Sequence, residues 1–446
     1  MKRFLELFFI TALFILICFV YKGQARLSLN EGKGWDGMYY YKMTEQILQG
    51  DYAVTGELPF VKRVGTPFLM AQYARLTGSG LLESATIVNL MGIYLTVILL
   101  VFWLRIFIDR FWLRGLLCFL FMMGWYLPLR IGFYDSVASD AWGAVWFMSG
   151  VLLLDVIRKA FCQKRKMVLL FYVLIFSIVV AVGNLFRESN AVLCVALFFV
   201  LNPLKEMTLF PVKAVTLSGI KSSFKKTGKL YATPQTILLF IPILVVGVVN
   251  WIVSNHIHVA ESDYSYIKAL FFWFYKKSLS AYLLGVLNAV GPLLLLLPFY
   301  FKEMKSILWE RQELLVLLIL SFFFGYFAGG DTERIFFMSG FPMLLVWMGF
   351  AIKNIFESSK RWWLYVLLAL QTIAFRFYWF VPDCPNDFWN TPFPFFTLLG
   401  SHFQYLFLYS YHGQYILNSL ILAEYFVLFI ITWYILRKQD FKALFS

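Results

Sequence analysis

Charge is scarce in this sequence. Only 14% of its 446 residues are Asp, Glu, Lys or Arg and 61% are hydrophobic, where an average soluble domain is about 25% charged and 45–50% apolar. With a mean hydropathy of +0.73, that scarcity excludes a soluble enzyme. Cysteine is rarer still. Of five residues, Cys18, Cys118 and Cys194 fall in apolar runs, Cys162 in a basic loop and Cys384 on the opposite side, so no intramolecular structural disulfide is expected. No Asn-x-Ser/Thr acceptor occurs, which leans away from a eukaryotic secretory pathway and makes a bacterial inner membrane the expected setting. Internal repeats, low-complexity tracts and a soluble accessory domain are absent too.

What is present is apolar and long. Unpaired backbone groups are costly in hydrocarbon, so apolar runs of about 17–25 residues read as membrane helices. Twelve such runs are expected, near 4–20, 84–104, 115–131, 141–157, 167–185, 191–201, 236–254, 279–301, 314–328, 335–352, 362–380 and 419–436. The sixth is too short for a full crossing and is expected to be tilted or half-buried. Met1-Lys2-Arg3 before the first run resembles a secretory signal, but Tyr21-Lys22-Gly23-Gln24-Ala25 is a poor cleavage site, and a retained anchor is expected. The fold class is thus an all-α polytopic membrane protein.

A cytoplasmic N-terminus places 25 of the 39 lysines and arginines on the cytoplasmic side, a positive-inside pattern with both termini cytoplasmic. The formal charge of +14 is then mainly a topology signal, and no nucleic-acid partner is expected. Three longer segments lie on the outer side. The first, 21–83, carries two helical patterns: Asp36 to Leu48, with Tyr39, Met43 and Ile47 on one stripe, and Pro67 to Leu76. Both read as interfacial helices. The second, 255–278, carries His256, His258, Glu261 and Asp263, then Phe271-Phe272-Trp273-Phe274-Tyr275. The third, 381–418, is rich in Pro and aromatics and includes His402 and His412.

The scarce charge of the outer side gathers in four places: Trp35-Asp36-Gly37; Tyr134-Asp135-Ser136 with Asp140; Arg187-Glu188; and Asp331-Thr332-Glu333-Arg334. Ionisable groups at a membrane edge are costly enough that function is their default reading. Plainer pairings remain open. Arg187 can pair with Glu188, Arg334 with Asp331 or Glu333, and Arg63 can snorkel to the interface. Arg376, in Phe375-Arg376-Phe377-Tyr378-Trp379, can anchor in an aromatic belt. The His256, His258, Glu261, Asp263 set has ligand types that suit zinc or manganese, but its spacing matches no specific site and reads as an interfacial polar loop. Glu424, inside the last run, is left outside the site.

This arrangement resembles the GT-C superfamily of integral-membrane glycosyltransferases: a cytoplasmic N-terminus, one span, a long outer loop opening with an acidic residue, then a second acidic site between the third and fourth spans. The resemblance implies a GT-C-like fold of about 12 transmembrane helices, with a catalytic module reaching through 84–254 and variable helices over 255–446. It implies transfer of a sugar from a polyprenyl-phosphate carrier to a glycan, lipid or protein acceptor on the non-cytoplasmic face. The family's first-loop carboxylate, its general base, matches Asp36 in Gly34-Trp35-Asp36-Gly37-Met38-Tyr39-Tyr40, and its second acidic site matches Asp135 or Asp140. The first loop has no tight Asp-x-Asp, so a divalent metal stays a candidate cofactor without an assigned site.

The chemistry supports these residue types independently. Such a transfer needs a base for the acceptor proton and cations for the phosphate leaving group, and direct attack inverts the anomeric centre. Arginine suits a lipid phosphate because its fork binds oxygens bidentately and stays charged. The candidates for donor phosphate or substrate binding are Arg63, Arg187, Glu188, Asp331, Glu333, Arg334 and Arg376. Trp35, Tyr39, Tyr40, Trp125, Tyr126, Tyr134 and Trp142 are placed to form a sugar or prenyl surface. Two rivals are an undecaprenyl-diphosphate-linked glycan polymerase or ligase, which usually has its larger outer loop late in the chain, and a lipid flippase or secondary transporter, which favours inverted repeats.

Overall fold

The first helix, Lys2–Tyr21, has no glycine or proline to interrupt it. It buries one stripe, Glu6, Ile10, Phe14, Ile17 and Tyr21, at the three- and four-residue spacing of a helix face. The stripe packs against the helices Leu81–Leu104 and Phe111–Met123. Phe14 meets Tyr94 at 5.1 Å, and the Tyr94 hydroxyl lies 2.8 Å from Thr11 Oγ1. The computed structural model describes residues 2–124, 128–203, 234–260, 265–327, 332–381, 383 and 414–436.

Among the described residues, six helices are long and apolar enough to cross a membrane: Arg3–Tyr21, Leu81–Leu104, Asp140–Cys162, Lys166–Asn184, Leu238–His256 and Ser419–Leu436. The chain is an all-α, multi-pass membrane protein. The twelve expected runs do not become twelve unbroken spans. The third breaks after Phe111–Met123 at Gly124, and a short helix, Pro128–Tyr134, lies beyond the break. The sixth is a 3-10 turn and a helix of eight residues, Glu188–Ala191 and Val192–Phe199. The eighth bends by 92° between Leu279–Val290 and Pro292–Glu310.

That bend has a local cause. Gly291 takes φ +76, and a β-carbon there would stand 2.3 Å from the Gln371 side chain. Gln371, buried in the helix Arg361–Ala374, donates to Val290 O at 2.8 Å and accepts from Leu293 N at 3.1 Å. One amide thereby satisfies a carbonyl before the break and an N–H after it, as backbone groups in an apolar surround require.

Between tightly packed spans small residues replace hydrophobic drive as the means of close approach. Gly92 lies under the Trp142 ring, and Gly183 meets Trp146 and Asn190. A large apolar core runs through the spans. A second, smaller one sits beyond the start of Leu81–Leu104 and joins Tyr40, Met43, Ile47, Val61, Met70, Ala71, Val88, Val137 and Ile257. The two helices expected in the first loop form it: Gly37–Leu48, burying Tyr40, Met43, Thr44 and Ile47, and Gly65–Thr77, burying Pro67, Met70, Ala71 and Ala74. A two-residue parallel pairing, Thr55–Gly56 with His258–Val259, ties this loop to the 255–278 segment.

Ion pairs collect at both ends of the helices. At one end Glu6 pairs with Arg105 and Arg114, and Asp155 with Lys159 and Arg311. Asp140 begins the helix that contains Asp155. Fifteen residues at 1.5 Å per residue separate the two by about 22 Å, and the second collection surrounds Asp140.

Candidate functional site

Two buried asparagines, neither singled out by the sequence, shape the second collection. Asn89, 2% exposed in the middle of Leu81–Leu104, donates to Ser136 O at 2.6 Å and Ala138 O at 3.0 Å. It thereby pins the turn between Asp135 and Asp140. Asn190, 1% exposed, donates to Gly143 O at 3.3 Å, Gly183 O at 3.2 Å and Arg187 O at 3.2 Å. It docks the Arg187-Glu188 turn on the helix that starts at Asp140. A polar residue inside an apolar run was the one available signal for Asn89.

Backbone approach brings the first loop to the same place. A β-carbon on Gly37 would lie 2.6 Å from Val137 O, and one on Gly65 would enter the Phe186 ring at 2.7 Å. Gly65 N also donates to Leu185 O at 3.0 Å. These contacts set Asp36 beside the Asp135–Asp140 turn and Arg63 beside Glu188.

The side chains then pair across the elements. Arg334 reaches Asp36 Oδ2 at 3.4 Å with Nη2 and Asp140 Oδ2 at 3.6 Å with Nη1. Arg187 pairs through Nη2 with Asp140 Oδ1. Arg63 Nε is shared between both oxygens of Glu188, at 3.1 and 2.9 Å, and its Nη1 donates to the Tyr40 hydroxyl at 2.8 Å. Ser139 Oγ donates to that hydroxyl at 3.2 Å. Asp36, Asp140, Arg63, Arg187, Glu188 and Arg334 therefore form one connected neighbourhood, and Asp135 packs on Gly34 at its edge.

Two expected readings, for Arg187 and Arg63, fall differently. Arg187 takes Asp140 where Glu188 was the plainer partner, because the Asn190-pinned turn directs Glu188 to Arg63. Arg63 is buried in that pair and does not snorkel. Arg334 meets Asp36 and Asp140, and its expected pairing with Asp331 or Glu333 is not tested by the described residues. Asp331 and the Glu333 side chain lie outside the described residues, as do Trp125, Tyr126, Glu261, Asp263, Cys384, His402 and His412.

Arg376 sits elsewhere. It is 3% exposed, at φ +48 just past the helix Arg361–Ala374, and its Nη1 donates to Ala374 O at 2.9 Å. Fully buried Arg130 donates to Phe375 O at 3.1 Å, Arg376 O at 3.0 Å and the Tyr21 hydroxyl at 2.7 Å. These contacts describe a joint between helices, and none of them reaches the Asp36 group.

Three guanidiniums, of Arg63, Arg187 and Arg334, face the carboxylates of Glu188, Asp140 and Asp36. Burial pushes the Arg187 pKa down to about 9, and the cations of Arg63 and Arg334 add to that. Burial also weighs on Arg63, yet Tyr40 and Glu188 hold its pKa above the ordinary arginine value. Among the described residues no three His, Cys, Asp or Glu side chains gather as a metal ion requires. Asp36 and Asp140 face arginines, and no step is assigned to a metal.

An apolar cavity of about 480 Å³ adjoins the group. Val64 and Gly65 line it next to Arg63 in sequence, and Leu185 and Phe186 next to Arg187, together with Trp142 and Trp146. His256 stands in the same lining, its Nδ1 2.8 Å from Ile252 O. Of the other expected aromatics, Trp35 is exposed, Tyr39 stacks on Phe60 at 4.6 Å and Tyr134 is buried.

The fold and this site define a polytopic helical membrane protein with a carboxylate and arginine cluster at one end of its spans. Its fold is similar to that of the archaeal oligosaccharyltransferase AglB of Archaeoglobus fulgidus. Against the apo crystal structure the TM-score is 0.50 at 11% identity, covering 86% of this chain and 58% of that one. Against AglB in complex with an inhibitory peptide and a dolichol-phosphate it is 0.52 at 12% identity, covering 88% and 58%. Against the complex with Zn and sulfate it is 0.51 at 14% identity, covering 85% and 56%. The chain thus spans less than two thirds of the length of these neighbours. No protein-family model matches it, and no curated protein matches its sequence.

Proposed function

We propose that the protein is a membrane glycosyltransferase that moves a sugar from a polyprenyl-phosphate carrier to an acceptor hydroxyl on the non-cytoplasmic face, with inversion. The observation that carries this reading is Arg334 lying between Asp36 and Asp140. It joins the half-exposed carboxylate suited to a base with the arginines suited to a phosphate. The apolar cavity beside Arg63 and Arg187 supports a donor whose phosphate is followed by an isoprenoid chain. The fold neighbour's complex with a dolichol-phosphate is consistent with that donor class.

In this reading Asp36 takes the proton of the acceptor hydroxyl as the oxygen attacks the anomeric carbon. The bond from that carbon to the phosphate oxygen breaks, and its electron pair leaves with the lipid phosphate. Arg187 and Arg334 stabilise the charge that develops there. Attack opposite the leaving group inverts the centre. Asp140, between the two guanidiniums, holds them on one side of the cluster, and the surrounding carboxylates favour the oxocarbenium character of the transition state.

The test is turnover in membrane vesicles supplied with a polyprenyl-phosphate sugar and its acceptor. Asp36→Asn is expected to abolish transfer while expression and thermal stability stay at the parent level. Near-normal turnover by that variant removes Asp36 as the base.

A further inference from the structure

The helix Tyr266–Lys276 buries none of its residues, yet its start reaches the ionic cluster and the residue past its end contacts Thr332, on the helix that carries Arg334. At its start the Tyr266 hydroxyl lies 3.4 Å from Glu188 Oε1, and Lys62 sits over the Tyr266 ring at 5.9 Å. Just past its end Lys277 is 2% exposed. The Lys277 ammonium donates to Gly325 O at 2.9 Å and Thr332 Oγ1 at 2.7 Å, two residues before Arg334. A buried lysine is costly unless its hydrogens are matched, and these two acceptors fix where the helix ends.

The exposed side of the helix is as specific as its ends. Ile267, Phe271 and Tyr275 follow one another at i, i+4 and i+8 and are 67%, 70% and 90% exposed. Lys268 and Lys276 flank them. Phe274 stacks on Phe327 at 5.3 Å, and the apolar surface continues onto exposed Leu279, Leu283 and Phe323 of the neighbouring helices. Aromatic and aliphatic groups between lysines, continuous with surface that faces lipid, form the pattern of a helix lying in a bilayer interface.

We propose that Tyr266–Lys276 is an interfacial strap. Its Ile267, Phe271, Tyr275 stripe lies in the leaflet at the Asp36 end of the protein, and lipid contact there keeps Glu188 and Arg334 in register, one from each end of the helix. The cluster is then assembled by the membrane as well as by the fold. Lipid contact and local order stand apart from the glycosyl-transfer reading; the kinetic consequence rests on it.

The experiment uses the full chain in phosphatidylethanolamine and phosphatidylglycerol vesicles, with native cysteines changed to serine and an environment-sensitive fluorophore on Tyr275→Cys. Its emission is expected to shift to the blue relative to detergent and to be quenched by phospholipids brominated near the headgroup. Absence of quenching, or energy transfer between labelled copies in its place, overturns the lipid assignment in favour of water or a second copy. In unlabelled protein, Phe271→Ser with Tyr275→Ser is expected to raise hydrogen exchange over 188–192 and 332–336 by about tenfold, with the spans unchanged. Lys277→Met is expected to do so over 332–336. Unchanged exchange overturns the coupling. For transfer, the double variant is expected to raise the donor KM by about tenfold with little change in kcat, and a fall in kcat alone overturns the register role. If quenching and exchange behave as expected while the parent protein transfers no sugar, the strap stands and the glycosyltransferase reading falls.

Discussion

A β-carbon on Gly34 would stand 2.2 Å from Oδ1 of Asp135, so the first-loop motif and the second acidic site meet with no room for a side chain. Gly34 also takes φ +74, which costs an L-residue roughly 1–2 kcal/mol. Gly34→Ala is therefore expected to displace Asp135 and the segment leading to Asp36 without unfolding the spans. A misplacement on that scale corresponds to about a hundredfold loss of kcat. Turnover in vesicles with a thermal unfolding control measures it, and a variant with parent-like turnover refutes the close fit.

Arg334 bridges two carboxylates with different nitrogens, and a lysine offers only a point charge in its place. Arg334→Met is expected to lower kcat by about 100- to 1,000-fold. Arg334→Lys is expected to recover little of it. Comparison of the two kcat values at saturating donor is the measurement. Full rescue by lysine means that charge alone is needed and the bridge is incidental.

Asn89 contributes two hydrogen bonds to carbonyls of the turn between Asp135 and Asp140. Asn89→Leu keeps the volume and removes both donors, leaving Ser136 O and Ala138 O to find other partners. A loss of about 1–3 kcal/mol per orphaned group is the usual scale. Lower resistance to denaturant is expected, together with faster hydrogen exchange over 136–140. Unchanged exchange there shows that the turn holds without Asn89.

The sequence made the membrane class legible because lipid imposes long apolar runs, and it made the one-sided clusters legible because charge is scarce. It did not reveal which arginine meets which carboxylate. Arg187 precedes Glu188 by one position, yet the buried Asn190 turns the first toward Asp140 and the second toward Arg63. Such partner choice depends on backbone approach at Gly37 and Gly65, which leaves no periodic signal. Interruptions were hidden for a similar reason: the Gly291 bend is sustained by Gln371, eighty positions away. Tyr40 was read as a binding aromatic, but its buried hydroxyl between Arg63 and Ser139 is what the fold uses.

The cavity beside Arg63 and Arg187 separates recognition of a lipid chain from chemistry at its phosphate. Val253 lines it from the helix Ile241–His256, opposite Leu69 and Phe186, and none of the three contacts the carboxylates in the pairs described above. Val253→Phe would fill part of the 480 Å³ while leaving Asp36, Arg187 and Arg334 in place. Contacts of one or a few methylenes in such a pocket are worth about 1–3 kcal/mol, or roughly 10- to 200-fold in discrimination. The variant is expected to raise KM for a long-chain polyprenyl-phosphate sugar within that range, to leave kcat close to the parent value, and to bind a water-soluble short-chain analogue nearly normally. Equal losses for both donors, or a loss confined to kcat, assign the cavity to packing of the helices and remove it from the path of the isoprenoid.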